Sequence, residues 1–425
     1  MTPDPDAIAD CVLATFHQLP DKRKPRPQSD GAREWVPLAG IVLADKHGKL
    51  SCVSLGTGMK CLPSNKLPLA HGNALHDWHA EVLAIRAFNR FLLDELILLL
   101  TPPHTPSAYL REITPEGRTP SQPQPFTLRD DIRIYMYCSE APCGDASMEL
   151  TMAAQEDATP WTSPVPTVSS NSTPTPNLTS ATCLPNPEEM EVLTALRGRT
   201  HFSHLGAVRC KPSRPDAPAT LSKSCTDKLA LAQATSLLSG LTSLLISPRN
   251  AYLHSLILPA SQQVHTACTR AFSSDGRMAP VVEQAPTWGG GYRWSPFSVL
   301  STSREFAWSR RMVPPSSKAV SSNLSAVWTP SWQETVIGGV LQGRKQFDPR
   351  GASRICRRGL WEGAVRVATV GGISALTHIL EMSAYKDVKE GEALEARRRV
   401  KGDVKRRALR GWVENRGDDV FGLGG

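Results

Sequence analysis

Three side chains of the kind that binds zinc lie far apart in this chain, and each stands at the expected start of a helix. His79 precedes a long apolar-periodic stretch, and Cys143 and Cys225 each precede a shorter one. A helix N-terminus favours the thiolate that a metal ion needs. A fold that uses all three residues must bring three helix starts to one point, and this requirement constrains the chain more than its composition does.

Glu81 stands two residues after His79, which is too close for both to share one face of a regular helix. The two side chains can converge if His79 lies in the first turn, as it would with Asp77 as the helix cap. A catalytic zinc takes three His or Cys ligands and keeps a fourth position for water. His79, Cys143 and Cys225 are therefore candidate ligands, and Glu81 is the candidate group that accepts and returns the proton of that water.

Two other interpretations concern the same cysteines. Cys210 lies shortly before Cys225 and is its rival as a ligand, but Lys211 and Pro212 after it open no helix. A closed structural zinc site would need four protein ligands, commonly in close cysteine pairs, and the sequence contains no such pair. We therefore expect Cys225 as the third ligand and a catalytic metal site.

The bulk properties set the class of protein. The chain has 425 residues, enough for one large or two ordinary domains, and a formal net charge of +8 that suits a polyanionic partner. Its ten irregularly spaced cysteines do not suit a disulfide framework, and its first residues do not follow a signal-peptide pattern. Acidic residues interrupt the longest apolar run, at 92–100, so we expect no membrane span. We expect an intracellular protein, in the nucleus, the cytoplasm or both.

Apolar periodicity predicts a layered α/β domain, because the order is strand, strand, helix, strand, helix. Alternating or β-rich runs predict the strands, and apolar residues at helical spacing predict the helices. The predicted strands are 39–43, 52–55 and 132–137, and the predicted helices are 77–100, 146–156 and 228–245.

Two insertions rich in proline and polar residues interrupt these elements, at 101–125 and 159–187. Such compositions bury too little apolar surface to order a segment, so we expect both insertions to be disordered. A further loop is expected at about 273–291, where glycine and proline occur without an apolar period.

Basic residues cluster in three places. One cluster spans 344–358, and another spans 397–410 in a helix predicted to begin near Glu392. The second cluster is either a solvated helix face or a surface for a polyanion. The third run, 22–26, is either a nuclear import signal or an exposed loop that touches RNA phosphates, and its position just before the first strand favours the loop.

Six sequence blocks resemble the adenosine-to-inosine editase domain family and occur in the same order as in that family. The match runs from about residue 37 to residue 421, and it is most similar to the fungal members that act on tRNA. The blocks are GTGMKC at 56–61, HDWHAEVLA at 76–84, PCGDAS at 142–147, SCTDKLA at 224–230, ASRIC at 352–356 and GWVE at 411–414.

The resemblance implies one deaminase domain over residues 1–425, ordered mainly from 37 to 421. Its fold would be the cytidine-deaminase-like α/β/α sandwich, enlarged by a helical, basic C-terminal part. It implies zinc on His79, Cys143 and Cys225 and catalysis by Glu81. The implied reaction is hydrolytic deamination of adenosine to inosine in tRNA, beside the anticodon of tRNA-Ala, with no obligate protein partner.

The resemblance also implies a second cofactor. Family members bury inositol hexakisphosphate in the C-terminal half, which would give the basic clusters a structural role, and Asp77 and Lys211 would link the metal ligands to that pocket. The sequence departs from editases of double-stranded RNA at Ile85, Leu231 and Ala232, which are apolar where those enzymes have polar partners for phosphate. The positions that match the pocket are Arg86, Lys228, Arg357, Tyr385, Lys389, Arg397, Trp412 and Glu414.

Two alternatives to tRNA deamination remain on the sequence alone. The chain could deaminate adenosine in duplex or messenger RNA, or it could be a catalytically dead homologue that binds RNA or inositol phosphate. No separate double-stranded-RNA-binding module is recognisable, which favours an unpaired loop base, the kind that leaves its stack most easily. The presence of Glu81 argues against a dead site.

Overall fold

The structure is a computed structural model that describes residues 3–26, 31–154, 196–198, 204–211 and 217–424. Within these ranges the strands are β1 (Arg33–Trp35), β2 (Leu38–Ala44), β3 (Leu50–Thr57), β4 (Met59–Cys61), β5 (Asp77–His79), β6 (Leu110–Glu112), β7 (Phe126–Leu128), β8 (Arg133–Cys138), β9 (Leu196–Arg197), β10 (Arg209–Cys210), β11 (Leu253–Pro259), β12 (Ser298–Thr302), β13 (Ala319–Ser321), β14 (Ser325–Thr329), β15 (Trp332–Ile337) and β16 (Val340–Leu341).

The helices of the same ranges are α1 (Pro5–His17), α2 (Ala80–Leu100), α3 (Met148–Ala153), α4 (Cys225–Thr235), α5 (Thr242–Leu245), α6 (His265–Phe272), α7 (Ala279–Gln284), α8 (Arg357–Val370), α9 (Ser374–Leu380), α10 (Tyr385–Glu390) and α11 (Glu395–Arg407). None of these helices combines the length and the apolar character that crossing a membrane requires.

A mixed eight-stranded sheet forms the centre of the fold. Its strand order is β12-β11-β8-β2-β3-β14-β15-β16. Strands β8, β11 and β12 run parallel, and the others pair antiparallel with their neighbours. The carboxyl ends of β8, β11 and β12 and the amino end of β2 therefore lie at one edge of the sheet.

Both faces of the central strands are buried, because their side chains alternate between two apolar layers. In β2, Ile41 and Leu43 join the layer that contains α2, whereas Val42 faces the opposite layer. Helix α1 covers that opposite face with Val12 and Phe16. The expected α/β/α sandwich is confirmed. Strands β2 and β3 contain the predicted strands 39–43 and 52–55, and β8 covers the predicted strand 132–137 except for Ile132.

The C-terminal half enlarges the α2 side of the sheet. Helix α8 packs against α2, and α11 packs against α4 and α7. The largest fully buried side chain, that of Trp361, lies in α8, and its Nε1 donates a hydrogen bond to the carbonyl oxygen of Leu380, 2.7 Å away. Helix α11 is the predicted basic helix, and a short 3₁₀ turn at Glu392–Leu394 precedes it.

Two predictions of local structure were wrong in part. The predicted helix 228–245 is divided into α4 and α5, because Ser236 takes a left-handed conformation (φ 60°) and ends α4. The predicted loop 273–291 contains α7, whose Val281 is buried; a proline in the first turn of this helix is compatible with helical geometry. Six residues are too few to produce a periodic signal.

The insertion 101–125 is partly ordered, contrary to the expectation of disorder. Strand β6 pairs with β7, and Leu110 is buried in the main core. The Ser107 hydroxyl accepts hydrogen bonds from the backbone N–H groups of Tyr109 and Leu110, each at 3.1 Å. Strand pairing, one buried leucine and a local serine turn are among the contacts that order this part of a polar segment. The insertion 159–187 lies outside the described residues.

Candidate active site

Three side chains from separate parts of the chain converge near the edge of the sheet where β8 ends. The ligand atoms of His79, Cys143 and Cys225 all lie within 4.8 Å of one another. His79 ends β5, Cys143 follows the carboxyl end of β8, and Cys225 is the first residue of α4. The Cys143 Sγ atom is 3.8 Å from Nδ1 of His79.

His79 and Glu81 face the same space because a strand changes into a helix between them. His79 is extended (φ −66°, ψ 147°) and is the N-cap of α2, and Glu81 lies in the first turn. The prediction that Asp77 caps this helix was wrong. Asp77 lies in β5, and its Oδ1 accepts a hydrogen bond from the backbone N–H of His79, 3.0 Å away.

Gly144 lets the loop of Cys143 approach α4 closely. It has φ +111°, and a Cβ atom there would lie 2.3 Å from the Ser224 hydroxyl oxygen. The Thr226 hydroxyl donates to the carbonyl oxygen of Pro142 at 2.8 Å, and the Thr226 N–H donates to the Cys143 carbonyl oxygen at 3.1 Å. These contacts fix the two thiols beside each other, and the Cys225 N–H donates to Cys143 Sγ at 3.4 Å.

A buried lysine connects the cysteines to Asp77. Lys211 is 4% exposed, and its Nζ donates to Asp77 Oδ2 at 2.7 Å and to Cys225 Sγ at 3.2 Å. Burial alone would lower the pKa of Lys211, but Asp77 and the two thiols raise it well above its usual value. Burial alone would raise the pKa of Asp77, but Lys211 and Lys228 hold it well below its usual range. The lysine is therefore a fixed positive charge beside the thiols.

The site shifts the pKa of Cys143 downwards and the pKa of Glu81 upwards. The hydrogen bond from Cys225, with Lys211 and His79 nearby, places the pKa of Cys143 well below its usual value, although burial opposes this shift. Burial and the neighbouring Cys143 raise the pKa of Glu81, whose residue is 7% exposed. This difference suits a metal ligand beside a group that accepts and returns a proton.

The donor set fits a catalytic zinc ion. It consists of one imidazole nitrogen and two thiol sulfurs, with Glu81 outside the ligand group, and it leaves a fourth position for water. The rival Cys210 belongs to neither of the two donor groups found among the described residues. The second group, Cys61 with Asp77 and His79, shares His79, and its carboxylate already binds Lys211.

A basic cavity of about 390 Å³ is lined in part by Asp77, whose carboxylate also contacts the His79 N–H and Lys211. Five of the eight positions matched to the phosphate pocket line it: Arg86, Lys228, Arg357, Trp412 and Glu414. Lys223 and Lys401 also line it; Lys401 belongs to the predicted basic cluster 397–410, but neither lysine was matched to the pocket from the sequence. Lys401 stands four residues after Arg397 in α11, so helical spacing from that residue could have indicated it.

The other three matched positions lie around this cavity without lining it. The Arg357 guanidinium lies 5.6 Å from the ring centre of Tyr385. Arg397 donates to the carbonyl oxygens of Thr235 and Leu238, each at 2.6 Å. Burial and then the neighbouring Lys401 lower the pKa of Lys389 well below its usual value.

Comparison with known proteins agrees with this geometry. A sequence profile described as the adenosine-deaminase (editase) domain matches residues 54–416. The tRNA-specific adenosine deaminase 1 of Schizosaccharomyces pombe is 34% identical over 420 residues, which cover 97% of this chain and 95% of that protein.

Two further relatives match smaller parts. The protein of the same name from Saccharomyces cerevisiae is 31% identical over 60% of this chain and 58% of its own length. The double-stranded RNA-specific adenosine deaminase of Mus musculus is 33% identical over 26% of this chain and 9% of its own length. Because the profile and the S. pombe relative span most of the chain, the resemblance of the six sequence blocks is confirmed. The chain belongs to the adenosine-deaminase (editase) family and is a deaminase.

Proposed function

We propose that this protein deaminates adenosine to inosine in tRNA, at the base beside the anticodon of tRNA-Ala. The observation that carries the proposal is the convergence of His79, Cys143 and Cys225 with the buried Glu81 at their side. The similarity over 97% of the chain to a protein named tRNA-specific adenosine deaminase 1 supports the choice of RNA.

His79, Cys143 and Cys225 would hold the metal. Zinc, when bound there, would supply the acidity that brings the pKa of a water molecule towards neutrality. Lys211 would offset part of the negative charge of the two thiolates, since its ammonium group contacts Cys225 Sγ. Asp77 would orient His79 by accepting the hydrogen bond of its backbone N–H.

Glu81 would move the protons. Its carboxylate accepts a proton from the attacking water and delivers it to N1 of the adenine ring while the hydroxyl group adds to C6. The hydroxyl group now on C6 then gives its proton through the same carboxylate to the amino group, the C6–N bond breaks, and adenosine and water become inosine and ammonia. The raised pKa of Glu81 suits a group that must both take and give a proton near neutral pH.

A single catalytic domain can act on tRNA because the target base is in a loop. The base must leave its stack to reach a buried site, and the free-energy cost of that step is smallest when the base is unpaired. An editase of duplex RNA must overcome pairing as well as stacking. A comparison of the deamination of a tRNA with that of a hairpin duplex therefore shows which RNA is the substrate.

We also propose that the basic cavity holds an inositol polyphosphate. Burial and then Lys405 lower the pKa of Lys401 to about 8, so several cations are close together at a low local dielectric. A bound polyanion would relieve the electrostatic repulsion between these cations. Native mass spectrometry is expected to find such a ligand on the purified protein and to lose it in Lys401→Glu; an unliganded wild-type protein of normal stability would contradict the proposal.

The substrate proposal is tested with purified protein and a tRNA-Ala transcript. We expect inosine beside the anticodon, read by sequencing the RNA after reverse transcription, and none with Glu81→Ala under the same conditions. A matched hairpin duplex with one adenosine opposite a pyrimidine serves as the comparison. Deamination of the duplex with an unmodified tRNA would overturn the tRNA assignment, and no inosine in either RNA would overturn the activity.

A further inference from the structure

A pair of tryptophans and a pair of arginines lie at the edge of the sheet that carries the candidate active site. Trp35 ends β1, shortly before β2, and Trp308 follows β12. Cys143 follows β8, which runs parallel to β11 and antiparallel to β2. The sheet topology therefore places both tryptophans on the same side of the molecule as the metal group. We call Arg33, Trp35, Trp308 and Arg310 the arginine–tryptophan surface.

The arginines of this surface are held against the aromatic rings. The Arg33 guanidinium lies 5.5 Å from the ring centre of Trp308, and that of Arg310 lies 6.0 Å from the ring centre of Trp35. The backbone N–H of Val36 donates to the Trp308 carbonyl oxygen at 2.9 Å, which joins the two segments. Cation–π contacts of this kind reduce the freedom of the guanidinium without neutralising its charge.

Neither arginine has a carboxylate partner within 4.0 Å among the residues that the structure describes. The next residue provides a contrast. Arg311 is bound to Glu140 (2.8 Å) and to Glu305, and it donates to the Ser139 carbonyl oxygen at 2.9 Å. Arg311 therefore has a structural role, whereas Arg33 and Arg310 keep their charge available.

Arg311 also ties the surface to the candidate active site. Its partners Ser139 and Glu140 belong to the short segment between β8 and Cys143. The surface is thus anchored to the loop that carries one of the candidate metal ligands. An RNA strand whose adenosine enters the site must run across the rim formed by such neighbouring segments.

The basic run 22–26 continues this surface. The Arg26 N–H donates to Glu34 Oε2 at 3.4 Å, so the end of the run lies beside β1. Lys22 is exposed, whereas Arg23 donates to the Thr335 hydroxyl and Lys24 is paired with Asp21. Exposed Lys318 flanks β1 as well, since its carbonyl oxygen accepts from the Arg33 N–H at 2.9 Å. Exposed cations around two aromatic rings are complementary to a phosphate backbone.

We propose that the arginine–tryptophan surface binds the phosphate backbone of the RNA strand that carries the target adenosine. The inference rests on the proposed function, since it takes the substrate to be RNA. Arg33 and Arg310 contact phosphates, and the tryptophans hold both guanidinium groups in place. The run 22–26 extends the interface to the adjoining part of the RNA.

The test compares three variants in the full chain. Arg33→Ala with Arg310→Ala removes both charges, and Arg310→Lys keeps the charge but removes the planar group that lies on Trp35. Arg133→Ala is the control. Arg133 is exposed and begins β8, so it lies about 17 Å along the strand from Cys138, which ends β8 near the candidate active site. Thermal unfolding first establishes that all variants are as stable as the wild type.

Binding of a labelled tRNA anticodon arm is measured by fluorescence anisotropy over a series of salt concentrations. For the double variant we expect binding about tenfold weaker. The salt slope, which is the slope of the logarithm of the binding constant against the logarithm of the salt concentration, should be smaller in magnitude by about 0.7–0.9 for each phosphate that is no longer neutralised. Steady-state kinetics should show a higher KM with kcat within about twofold, because a remote phosphate contact contributes equally to substrate and transition state. Arg310→Lys should lie between the double variant and the wild type, and the control should match the wild type.

The outcomes separate this inference from the proposed function. If the wild type forms inosine and the double variant binds RNA with an unchanged affinity and salt slope, the surface does not bind RNA and the inference fails alone. If the wild type binds RNA through this surface but forms no inosine, the proposed function is wrong and the inference that the surface binds RNA is supported. A double variant that loses kcat instead of affinity would also contradict the inference.

Discussion

Lys211 is the residue that joins the candidate metal group to the rest of the protein. It is separated from Asp77 by 134 positions in sequence, yet its ammonium group contacts both that carboxylate and Cys225 Sγ. Removing one member of a buried ionic network leaves the others without a partner, which is strongly destabilising. The position of this charge beside the sulfur of a candidate metal ligand predicts an effect on metal affinity as well as on folding.

We predict that Lys211→Met weakens zinc binding by about 10- to 100-fold, the size of effect typical for a residue that contacts a metal ligand. Competition with a chromogenic chelator measures this affinity directly. Lys228→Met is the matched comparison, because Lys228 also reaches Asp77 but is not bonded to either candidate cysteine ligand. Equally weakened zinc binding in both variants would mean that the charge near Asp77 matters and that the hydrogen bond to Cys225 does not.

We predict that Glu81→Gln leaves the zinc content unchanged and lowers the rate of inosine formation by at least about 10²-fold. The amide has nearly the same shape as the carboxyl group but cannot accept the proton of water. Zinc is counted by plasma mass spectrometry, and inosine is counted in the RNA product. A variant that loses its zinc together with its activity would identify Glu81 as a ligand.

At the residue scale the sequence indicated which residue types could bind a metal and where they stand relative to helices. The structure showed which side chains contact one another. His79, Cys143 and Cys225 could be selected because each precedes a helix. Asp77 was misassigned as a cap because its spacing from the apolar period suits one. Its buried role depends on Lys211, which no local pattern connects to it.

At the scale of elements, the approach of the Cys143 loop to α4 depends on Gly144. We predict that Gly144→Ala lowers both zinc affinity and stability, because a Cβ atom would meet the Ser224 hydroxyl at 2.3 Å and φ is +111°. The Ser224 oxygen caps α4 by accepting from the Asp227 N–H at 3.1 Å, so it cannot move without loss of the cap.

The control for this substitution is Gly289→Ala. Gly289 is exposed, and a Cβ atom there would meet nothing within 4 Å. Zinc content and the midpoint of thermal unfolding should change only in Gly144→Ala. If Gly144→Ala retained wild-type zinc affinity, the close approach of the loop to α4 would not be needed for the metal group.

The sequence predicted β2, β3 and β8 well because each combines apolar character with clear turn signals. It predicted one helix where α4 and α5 lie, because Leu237 and Leu238 continue the apolar character through the break at Ser236. In the structure Arg397 binds the carbonyl oxygen of Leu238 within this break. A bond between residues so far apart in sequence cannot be read from a local window.

At the scale of the whole molecule, the C-terminal segment is hydrogen-bonded to the segment before α2. His76 Nε2 lies 2.6 Å from Asp418 Oδ2, and Asp418 Oδ1 accepts from the Gly72 N–H at 2.7 Å. Burial lowers the pKa of His76 to about 4, although the bond with Asp418 opposes the shift. His76 is therefore neutral in the folded protein at pH values where it is protonated in the unfolded chain.

This difference predicts loss of stability in acid. Between an unfolded pKa of about 6.5 and the folded value, the unfolded state binds more protons, so the free energy of unfolding falls as pH falls, by up to about 3 kcal/mol in total. Urea unfolding at a series of pH values measures this slope. His76→Gln should reduce the slope between pH 6.5 and 4, and an unchanged slope would assign the acid sensitivity to other groups.

The global arrangement was only partly predictable. The resemblance to a known family indicated the sandwich and its C-terminal enlargement, and the family match supports both. The strand order of the sheet joins β3 to β14, which is far along the chain, and the run 22–26 reaches β1 through Glu34. Such pairings follow from burial of whole elements and have no signature in a short stretch of sequence.

The proposed chemistry depends on one imidazole and two thiolates that hold a zinc ion and leave one position open. X-ray absorption at the zinc edge of the active protein tests this arrangement most directly. We predict one zinc per chain with two sulfur ligands at about 2.3 Å and two nitrogen or oxygen ligands at about 2.0–2.1 Å, and the loss of one sulfur in Cys225→Ser. Full inosine-forming activity without zinc, or a zinc shell that keeps both sulfurs in Cys225→Ser, would contradict it.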